Sequence, residues 1–460
     1  MPGNLINIKR ISPEALQVIK RLNNAKYSAY LVGGCVRDLL LQKTPKDFDV
    51  VTDATPEQIK KIFSNSRIIG KRFRLVHCVF RNNIIEVATF RTEDSSSKNA
   101  DMITSEDGYL LRDNKYGKSL LEDACRRDYT INALYYSPFE NVIHDFHGGL
   151  YDLLNQNIEI IGDPVQRFQE DPVRIIRAYR FQAKLGFTLS ERTQKAIPEC
   201  LPLLKQINTS RMYEEFNKIF LTGHGATSFD VFLKNNIIEH LLIEHGSLIK
   251  ESSFSTFINN ALINADNRLA SGKQNMPHFL YAVMLWPIVK QLYLKMLNIP
   301  RFSILKDVTI MDKASDIILQ RQCAITNIPQ RFISDIKEIW NMQIALENQN
   351  NLDNPKEIVW KGIFRASVDF LNARISVEPA LKEIAEQWVA QYEFFVPPEM
   401  RSRRQIIERD KGNNSKKGGK KDKPADRSKK KFGSKDGYKN KKFRKSGKVN
   451  LKKAQEVLEN

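Results

Sequence analysis

Cysteine is scarce in this chain of 460 residues, which holds five cysteines and no C-x-x-C pair. This usage excludes a disulfide-stabilised scaffold and argues against a cysteine-ligated zinc site. The seven histidines include no H-E-x-x-H motif, which argues against a zinc-dependent hydrolase. A few unpaired cysteines are typical of a protein that works in the reducing cytoplasm.

Long hydrophobic runs are missing as well. The longest, residues 279–289, ends at Lys290, and it is well short of the roughly 20 apolar residues that cross a bilayer. The first four residues do not lead from a charged segment into an apolar one, so we expect no secretory signal. The sequence therefore predicts a cytoplasmic protein with no membrane partner.

Acidic residues are sparse near the C-terminus, where residues 401–450 hold 21 Lys and Arg against 5 Asp and Glu. This segment carries +16 of the net charge of +19, which leaves +3 for the rest of the chain. A basic, low-complexity tail usually binds a polyanion without folding alone. We therefore predict a disordered polyanion-binding tail over residues 399–460; a merely solubilising tail is the alternative. Its candidate contacts are Lys416, Lys417, Lys441 and Lys442.

Hydrophobic periodicity divides the chain before this tail. Ser12-Pro13 ahead of an apolar periodic run predicts a capped helix within residues 1–24. Short β-type runs between helical patterns predict an α/β head, a small mixed sheet with helices, over residues 25–150. Helical periodicity then dominates, so we predict an all-α neck over residues 151–222 and an all-α body over residues 223–398.

Two carboxylates stand two residues apart in the head, in Asp47-Phe48-Asp49. On the strand predicted there, alternate side chains share a face, so both carboxylates would point the same way. Aligned carboxylates are ligands that suit Mg²⁺. Glu86 interrupts an apolar strand pattern, and a buried acid needs a partner such as a metal. A solvated acidic face and an edge-strand glutamate are the alternatives.

A glycine turn precedes this acidic pair by 13 residues. Gly33 and Gly34 follow a β-type run and open a helix that carries Arg37 and Asp38. Glycine lets a phosphate approach the backbone, the helix start offers N–H groups, and an arginine can add a charge-assisted contact. The turn and the acidic pair together favour a metal–nucleotide site, whereas a glycine turn alone would not.

A second dense group of polar residues lies within residues 122–134. Arg126 and Arg127 could hold triphosphate oxygens. Asp128 and Asn132, four residues apart in a segment with a helical pattern, would share a face and could hold a ribose. A salt-bridged helix without a ligand is the alternative.

Together, these segments resemble the class II tRNA nucleotidyltransferase and bacterial poly(A) polymerase family. The resemblance rests on residues 31–38, the Asp47/Asp49 pair, residues 86–91 and residues 126–134, and on two later segments. Gln169 to Phe181 resembles the family's nucleobase-reading E-D-x-x-R segment, and Arg211 to Phe216 is similar to the helix that follows it. The resemblance is dense over about residues 25–225 and loose beyond.

The resemblance implies a polymerase-β-like head in which Asp47 and Asp49 hold two Mg²⁺ ions. It implies catalytic roles for Asp128 and for Glu86 as a supporting carboxylate, with ATP as the substrate. Asp171 and Arg174, three residues apart on one helical face, could read the pairing edge of adenine, and Arg177 and Arg180 could reach phosphates.

Two activities share such a head, poly(A) addition to RNA and CCA addition to tRNA. Residues 69–77, with Lys71, Arg72 and Arg74 as candidate RNA contacts, resemble a basic segment of the bacterial poly(A) polymerases, as does the stretch 107–117. A basic tail suits an enzyme that holds varied RNAs through their phosphates. We therefore expect a template-independent adenylyltransferase acting on RNA 3′ ends, with RNA-decay proteins as further partners. CCA addition is the alternative, and a non-catalytic RNA-binding adaptor is a remote one.

Overall fold

The structure, a computed structural model, describes residues 6–398 apart from 71–73, 82, 93–102, 105–109, 112–114, 118, 244–247, 249–250 and 303. Its strands are β1 (Ala29–Val32), β2 (Asp49–Thr52), β3 (Ser66–Ile69), β4 (Leu75–Val79), β5 (Ile84–Thr89), β6 (Arg91–Thr92), β7 (Ile103–Thr104), β8 (Leu110–Leu111), β9 (Lys115–Tyr116), β10 (Leu134–Ser137), β11 (Val142–Asp145), β12 (Asn157–Ile158) and β13 (Thr188–Leu189).

The helices begin within the first described residues and predominate after β11. They are α1 (Pro13–Asn24), α2 (Gly34–Leu40), α3 (Pro56–Ile62), α4 (Leu120–Cys125), α5 (Gly149–Leu154), α6 (Pro164–Glu170), α7 (Val173–Leu185), α8 (Glu191–Cys200), α9 (Thr209–Phe220), α10 (Gly225–Lys234), α11 (Ser252–Ala270), α12 (Pro277–Leu297), α13 (Asp307–Cys323), α14 (Gln330–Glu347), α15 (Lys356–Val359), α16 (Phe364–Arg374) and α17 (Lys382–Phe395).

A mixed sheet of seven strands forms the head, in the order β11-β10-β1-β2-β5-β4-β3. β2 and β5 run parallel, and the other neighbouring pairs are antiparallel. On β5 the side chains of Ile85, Val87 and Thr89 are buried, whereas Ile84 and Glu86 are exposed. This alternation buries one face of the sheet. The other face carries Glu86 near the start of β5 and a second buried cluster with Val51, Phe90 and Tyr135 beyond it. The predicted α/β head followed by helical segments is confirmed.

The predicted helix starts agree with the local chemistry of the chain. Ser12 caps α1 by accepting a hydrogen bond from the Ala15 N–H at 3.3 Å, and Pro13 occupies the first helical position. Thr55 and Gln58 form a reciprocal capping box at the start of α3. Each cap satisfies backbone donors that the first helical turn leaves without partners.

The chain folds into two compact units. Of the described residues, those within 6–246, 259–277 and 321–328 form unit 1, and those within 247–258, 278–320 and 329–398 form unit 2. The head and the helices α6 to α10 belong to unit 1. Past residue 150 this unit also contains β12 and β13, a parallel pair of two residues each that the helical pattern did not predict. The predicted boundaries between head, neck and body stay predictions.

Within the described part of the chain, no helix is both long enough and apolar enough to cross a membrane. The same residues contain no disulfide.

The mostly apolar interior of unit 2 contains one buried arginine among the described residues. Arg374 on α16 is 1% exposed and donates to Glu347 at 2.6 Å, to both carboxylate oxygens of Glu378 at 3.0 Å, and to Gln343 at 3.2 Å. Lys290 also donates to Glu378, at 2.6 Å. Glu347 and Glu378 are 41% and 27% exposed, and Glu378 keeps Lys290. The cost of removing the Arg374 side chain therefore comes from the cavity it would leave in the interior and from the lost donor to the buried Gln343.

We expect Arg374→Ala to lower the free energy of unfolding by about 2–5 kcal/mol, the range of a large-to-small substitution in a core. Arg365→Ala is a matched control on the same helix, because Arg365 makes an exposed pair with Asp369, and such pairs contribute about 0.3–0.5 kcal/mol. All four tryptophans, at positions 286, 340, 360 and 388, belong to unit 2, so urea unfolding followed by tryptophan fluorescence reports on this unit. Equal losses of unfolding free energy in the two variants would show that the buried Arg374 stabilises unit 2 no more than an exposed arginine does.

Candidate active site

The acidic residues of the head meet where three strands lie side by side. Asp49 on β2 is the register partner of Glu86 on β5, and Glu86 is also the partner of His77 on β4. His77 Nε2 lies 3.3 Å from Glu86 Oε1. Partners in register project from the same face of a sheet, so Asp49 and Glu86 form one acidic patch at the start of β2 and β5.

Two details of this patch differ from the prediction. The strand begins at Asp49, and Asp47 lies in a bend before it, so alternation along a strand does not place Asp47. Asp47 is nevertheless near enough to raise the pKa of Asp49. The prediction that Glu86 is buried was wrong. Its side chain is 54% exposed, and its partner is His77. It lies on an inner strand, so it is not an edge-strand glutamate either.

Electrostatics identify Asp49 as the strained member of the patch. Loss of hydration, followed by the negative charges of Glu86 and Asp47, raises its pKa from 3.8 to about 6, although nearby Arg127 acts in the opposite direction. No three His, Cys, Asp or Glu side chains form a ready metal-ligand group in the described ranges. Mg²⁺ is usually held by one or two carboxylates together with substrate phosphates, so the aspartates fit such an ion.

The glycine turn lies beside this patch. Gly33 has a φ of +75°, a conformation that favours glycine, and it precedes α2. A Cβ placed on Gly33 would lie 3.7 Å from Arg127 Nη1. The turn therefore lies close to the Arg127 guanidinium, while the Gly33 N–H itself donates to the Leu134 carbonyl at 3.1 Å. The phosphate site stays a prediction.

Arg37, Asp38 and Asn132 form a buried group behind the turn. Arg37 donates to Asp38 Oδ1 at 2.7 and 2.9 Å and to Asn132 Oδ1 at 2.6 Å. These partners occupy the guanidinium, so in this structure Arg37 supports the turn from within. The buried Asn132 Nδ2 has no hydrogen-bond partner among the described residues, and it is a donor that remains available for a ligand.

The arginine pair is organised by Asp123, a residue that the sequence analysis did not single out. Asp123 is fully buried, and its Oδ1 accepts from Arg126 at 2.8 and 3.1 Å while its Oδ2 accepts from Arg127 at 2.9 and 3.2 Å. Tyr135 donates to Oδ2 at 2.8 Å. The spacing of Asp123 from the two arginines, three and four residues, is a signal that could have identified it.

Asp128 and Asn132 do not share a helical face as expected, because α4 ends at Cys125 and only a short 3₁₀ turn at residues 130–132 follows. Asp128 instead accepts from Arg177 Nε on α7 at 2.6 Å. The positive charge of Arg177 keeps the pKa of this carboxyl low even though burial opposes it. Tyr129 Oη donates to the Arg174 carbonyl at 2.6 Å. The segment therefore connects the sheet to α7.

The predicted base-reading residues lie at a helix junction rather than on one helix. Asp171 follows α6 in an extended conformation, and Arg174 lies in the first turn of α7. Asp171 accepts from Arg211 on α9 at 2.6 Å. Arg174 donates to Glu170 at 3.1 Å and to the Arg167 carbonyl at 2.6 Å. The expectation of a shared helical face was therefore wrong.

The guanidiniums of Arg37, Arg177 and Arg180 lie 5.0–5.5 Å from the ring centre of Phe181. Arg180 Nε is also 3.6 Å from Glu215 on α9.

Of the candidate RNA contacts, Arg74 pairs with Glu57 at 2.6 Å. Lys71, Arg72 and the four tail lysines lie outside the described residues, as does most of the stretch 107–117.

A mixed sheet with two aspartates beside a glycine turn, followed by an arginine-rich helical segment, defines a nucleotidyltransferase. Three family models match the chain: "Poly A polymerase head domain" over residues 29–159, "Probable RNA and SrmB- binding site of polymerase A" over 186–247, and "Polymerase A arginine-rich C-terminus" over 304–431.

The poly(A) polymerase I of Salmonella typhi is 39% identical over 410 residues, which cover 86% of this chain and 85% of that protein. The poly(A) polymerase I of Haemophilus influenzae is 37% identical over 400 residues, 85% of this chain and 86% of that protein. The CCA-adding enzyme of Lactobacillus helveticus is 37% identical over 49% of this chain and 54% of that protein. The chain therefore belongs to the poly(A) polymerase family, and the resemblance found in the sequence is confirmed.

Solved structures agree with this fold. The CCA-adding enzyme of Bacillus stearothermophilus bound to CTP matches with a TM-score of 0.54 and 24% identity, and the match covers 83% of both chains. The CCA-adding enzyme of Thermotoga maritima complexed with tRNA matches with a TM-score of 0.55 and 19% identity over 85% of both chains. At these identities the matches establish the shared fold alone.

The raised pKa of Asp49 leads to a prediction about stability without metal. Because the folded-state pKa of about 6 exceeds the ordinary value of 3.8, the folded state loses stability as pH rises from about 4 through about 6. We expect Asp49→Asn to melt above the parent protein at pH 8 in EDTA and to melt with it at pH 4. Thermal unfolding at both values measures this.

Asp53→Asn is the control, because Asp53 follows the same strand and binds the Ser28 N–H at 2.9 Å. Asp53→Asn should differ from the parent in melting temperature by the same amount at pH 8 as at pH 4. Added Mg²⁺ should stabilise the parent protein more than Asp49→Asn. A variant that melts below the parent at pH 8 would show that the ionised Asp49 is not under electrostatic strain.

Proposed function

We propose that this protein adds AMP from ATP to RNA 3′ ends without a template and releases pyrophosphate, making poly(A) tails used in RNA processing and decay. The observation that carries the proposal is the juxtaposition of Asp49 with Arg127 and the glycine turn on one face of the head. Poly(A) polymerase I relatives match along 85–86% of the chain. By sequence, the CCA-adding enzyme of Lactobacillus helveticus matches about half of it, which makes CCA addition the second candidate.

In the proposed reaction, the RNA 3′-oxygen forms a bond to the α-phosphorus while the bond to the β-phosphate oxygen breaks. Such a transfer needs positioning and charge neutralisation rather than a nucleophilic side chain. Arg126 and Arg127 would hold triphosphate oxygens near Gly33 and Gly34. Asn132 would direct its unpartnered Nδ2 to the ribose, beside Arg37 and Asp38.

Asp47 and Asp49 would hold two Mg²⁺ ions, with Glu86 as a supporting carboxylate. When bound, Mg²⁺ lowers the pKa of the attacking hydroxyl and neutralises phosphate charge. Asp128 is already paired with Arg177 in this structure, so we propose that it acts at the active site by holding that arginine near the nucleotide.

Base choice would rest on Asp171 and Arg174, with a carboxylate accepting from adenine N6 and a guanidinium donating to N1. Arg177 and Arg180 would face the phosphates from α7. Both base-reading side chains already have protein partners, Arg211 for Asp171 and Glu170 for Arg174. Such partners hold a recognition group in place before the nucleotide arrives.

RNA would be held through its phosphates by Lys71, Arg72 and Arg74 and by the basic tail with Lys416, Lys417, Lys441 and Lys442. We propose that the protein works in the cytoplasm, where proteins of RNA decay would be its partners.

Primer extension tests the function. We expect long ladders from ATP alone and Mg²⁺ on an unstructured RNA, and loss of addition in Asp47→Ala and Asp49→Ala with RNA binding retained. The same reactions should include a tRNA that lacks its last three nucleotides, each NTP separately, and ATP with CTP. Addition that stops after three nucleotides, only on that tRNA and only with CTP, would replace the proposal with CCA addition. Full activity of either alanine variant would refute the metal assignment.

Arg174 should determine the choice of ATP. Because a site that hydrogen-bonds a substrate rejects analogues that leave its groups unpaired, we expect Arg174→Ala to lower the preference for ATP over CTP about 10- to 100-fold. Arg192→Ala is the control, since Arg192 is a neck arginine that pairs with Glu159. Unchanged discrimination against CTP, GTP and UTP in Arg174→Ala would contradict base reading by this residue.

A further inference from the structure

We propose that Asp123 is the positioning residue for nucleotide phosphates, acting through Arg126 and Arg127 without touching the nucleotide itself. The inference rests on the proposed function, which places the two arginines on the triphosphate. It assigns a role to a residue that lies in the interior, behind the site, and it predicts a defect confined to the phosphate-bearing part of the substrate.

Asp123 accepts hydrogen bonds from the same two nitrogens of Arg126 and of Arg127. Arg126 donates to Oδ1 through Nε and Nη2, and Arg127 donates to Oδ2 through Nε and Nη2. Among the described residues, no acceptor lies within hydrogen-bond distance of Nη1 of either arginine. One carboxylate therefore fixes two planar guanidiniums and leaves the same nitrogen of each available for an anion.

The available nitrogen of Arg127 faces the site. Its Nη1 would lie 3.7 Å from a Cβ on Gly33, at the glycine turn to which the proposed function assigns the phosphates. Arg127 also lowers the pKa of Asp49, so it lies near the acidic patch as well. Nε and Nη2 of Arg127 thus bind Asp123, and its Nη1 points to the glycine turn.

The backbone of the pair is fixed independently. Arg167 on α6 is buried and donates through Nη2 to the carbonyls of Arg126 and Arg127, both at 2.8 Å. Because the main chain has its own anchor, loss of the Asp123 carboxylate should free the side chains without releasing the segment. Because the main chain and the side chains have different anchors, a loss of side-chain positioning can be measured separately from a loss of folding.

Tyr135 supports Asp123 with a single oxygen. Its hydroxyl donates to Asp123 Oδ2 at 2.8 Å and accepts from Arg127 Nε at 2.8 Å, and its ring lies 5.1 Å from the Arg127 guanidinium. The two guanidiniums keep the pKa of Asp123 at about 2 despite burial. The carboxylate therefore stays ionised throughout the working pH range, and its effect on the arginines is constant.

The experiment compares two pairs of variants in the full-length protein. Tyr135→Phe removes the hydroxyl and keeps the ring; its control is Tyr136→Phe on the same strand, because the buried Tyr136 hydroxyl donates to Asn141 at 2.9 Å. Asp123→Asn removes the charge; its control is Asp152→Asn, because the buried Asp152 accepts from Thr130 and Asn157 at 2.6 and 2.8 Å. The readouts are KM for ATP, kcat, and inhibition by tripolyphosphate and by adenosine.

We expect the KM for ATP to rise about 3- to 10-fold in Tyr135→Phe and about 10- to 100-fold in Asp123→Asn, the range set by one or more hydrogen bonds to a charged group. Inhibition by tripolyphosphate should weaken by similar factors, whereas inhibition by adenosine should stay unchanged. Tyr136→Phe and Asp152→Asn should leave all of these constants as they are.

Asp123→Asn leaves two guanidiniums without a counter-charge, so it could fail to fold; Tyr135→Phe then decides alone. Equal losses for tripolyphosphate and adenosine in Tyr135→Phe would show a structural role and overturn the inference. Unchanged tripolyphosphate inhibition with an unchanged KM would overturn it as well. If the parent protein makes no poly(A) from ATP, the proposed function fails. Calorimetry measures tripolyphosphate binding without catalysis, so it tests the role of Asp123 separately from the proposed function.

Discussion

The pairing of one buried carboxylate with two guanidiniums is the interaction on which the rest of the site depends. Asp123 has no exposure to solvent and accepts from Arg126, Arg127, Tyr135 and the Arg91 N–H. A buried charge is tolerated only when partners compensate it. The arrangement places positive charge next to the acidic face of Asp49 and Glu86, so the site presents both signs within a short distance. A nucleotide with metal ions requires that combination.

The segment that follows Asp123 joins the sheet to helices α6 and α7 within unit 1. Arg177 reaches Asp128, the Tyr129 hydroxyl reaches the Arg174 carbonyl, and Arg167 reaches the carbonyls of the arginine pair. Each contact joins the four residues 126–129 to α6 or α7. Residues proposed to hold phosphates and residues proposed to read the base are therefore fixed to one short piece of backbone. A shift of either group would have to break buried charged contacts.

Much of the head could be predicted from sequence, because its strands alternate and its helices carry caps. The acids, the glycine turn and the arginine pair were all found, and the structure brings Asp49, Gly33 and Arg127 together. What failed was the assumption of continuous elements. Asp171 precedes Pro172, and a residue before proline avoids the helical region; its φ of −151° and ψ of 93° follow from that. The proline was a signal for the break between α6 and α7.

Asp47 and Asp123 were harder to place, for different reasons. A strand extends only as far as its neighbours pair with it, and the ladder of β2 with β5 starts at Asp49 and Glu86; the sequence of β2 alone does not contain that limit. Asp123 looked like one of several charges on a short helix. Its importance comes from burial, which depends on Tyr135 of β10 and on the backbone at Arg91, distant segments that only the fold brings to it.

The partners of the two residues proposed to read the base, Asp171 and Arg174, bear on the proposed selectivity for ATP. Arg174 is held by Glu170 and by a carbonyl, and Asp171 is held by Arg211. A group fixed before binding cannot turn to suit a different base, so a base with the wrong donors and acceptors leaves it unpaired. Such a penalty discriminates more strongly than a favourable contact alone. If these pairs are kept when a nucleotide binds, they suit the repeated addition of one nucleotide that we propose.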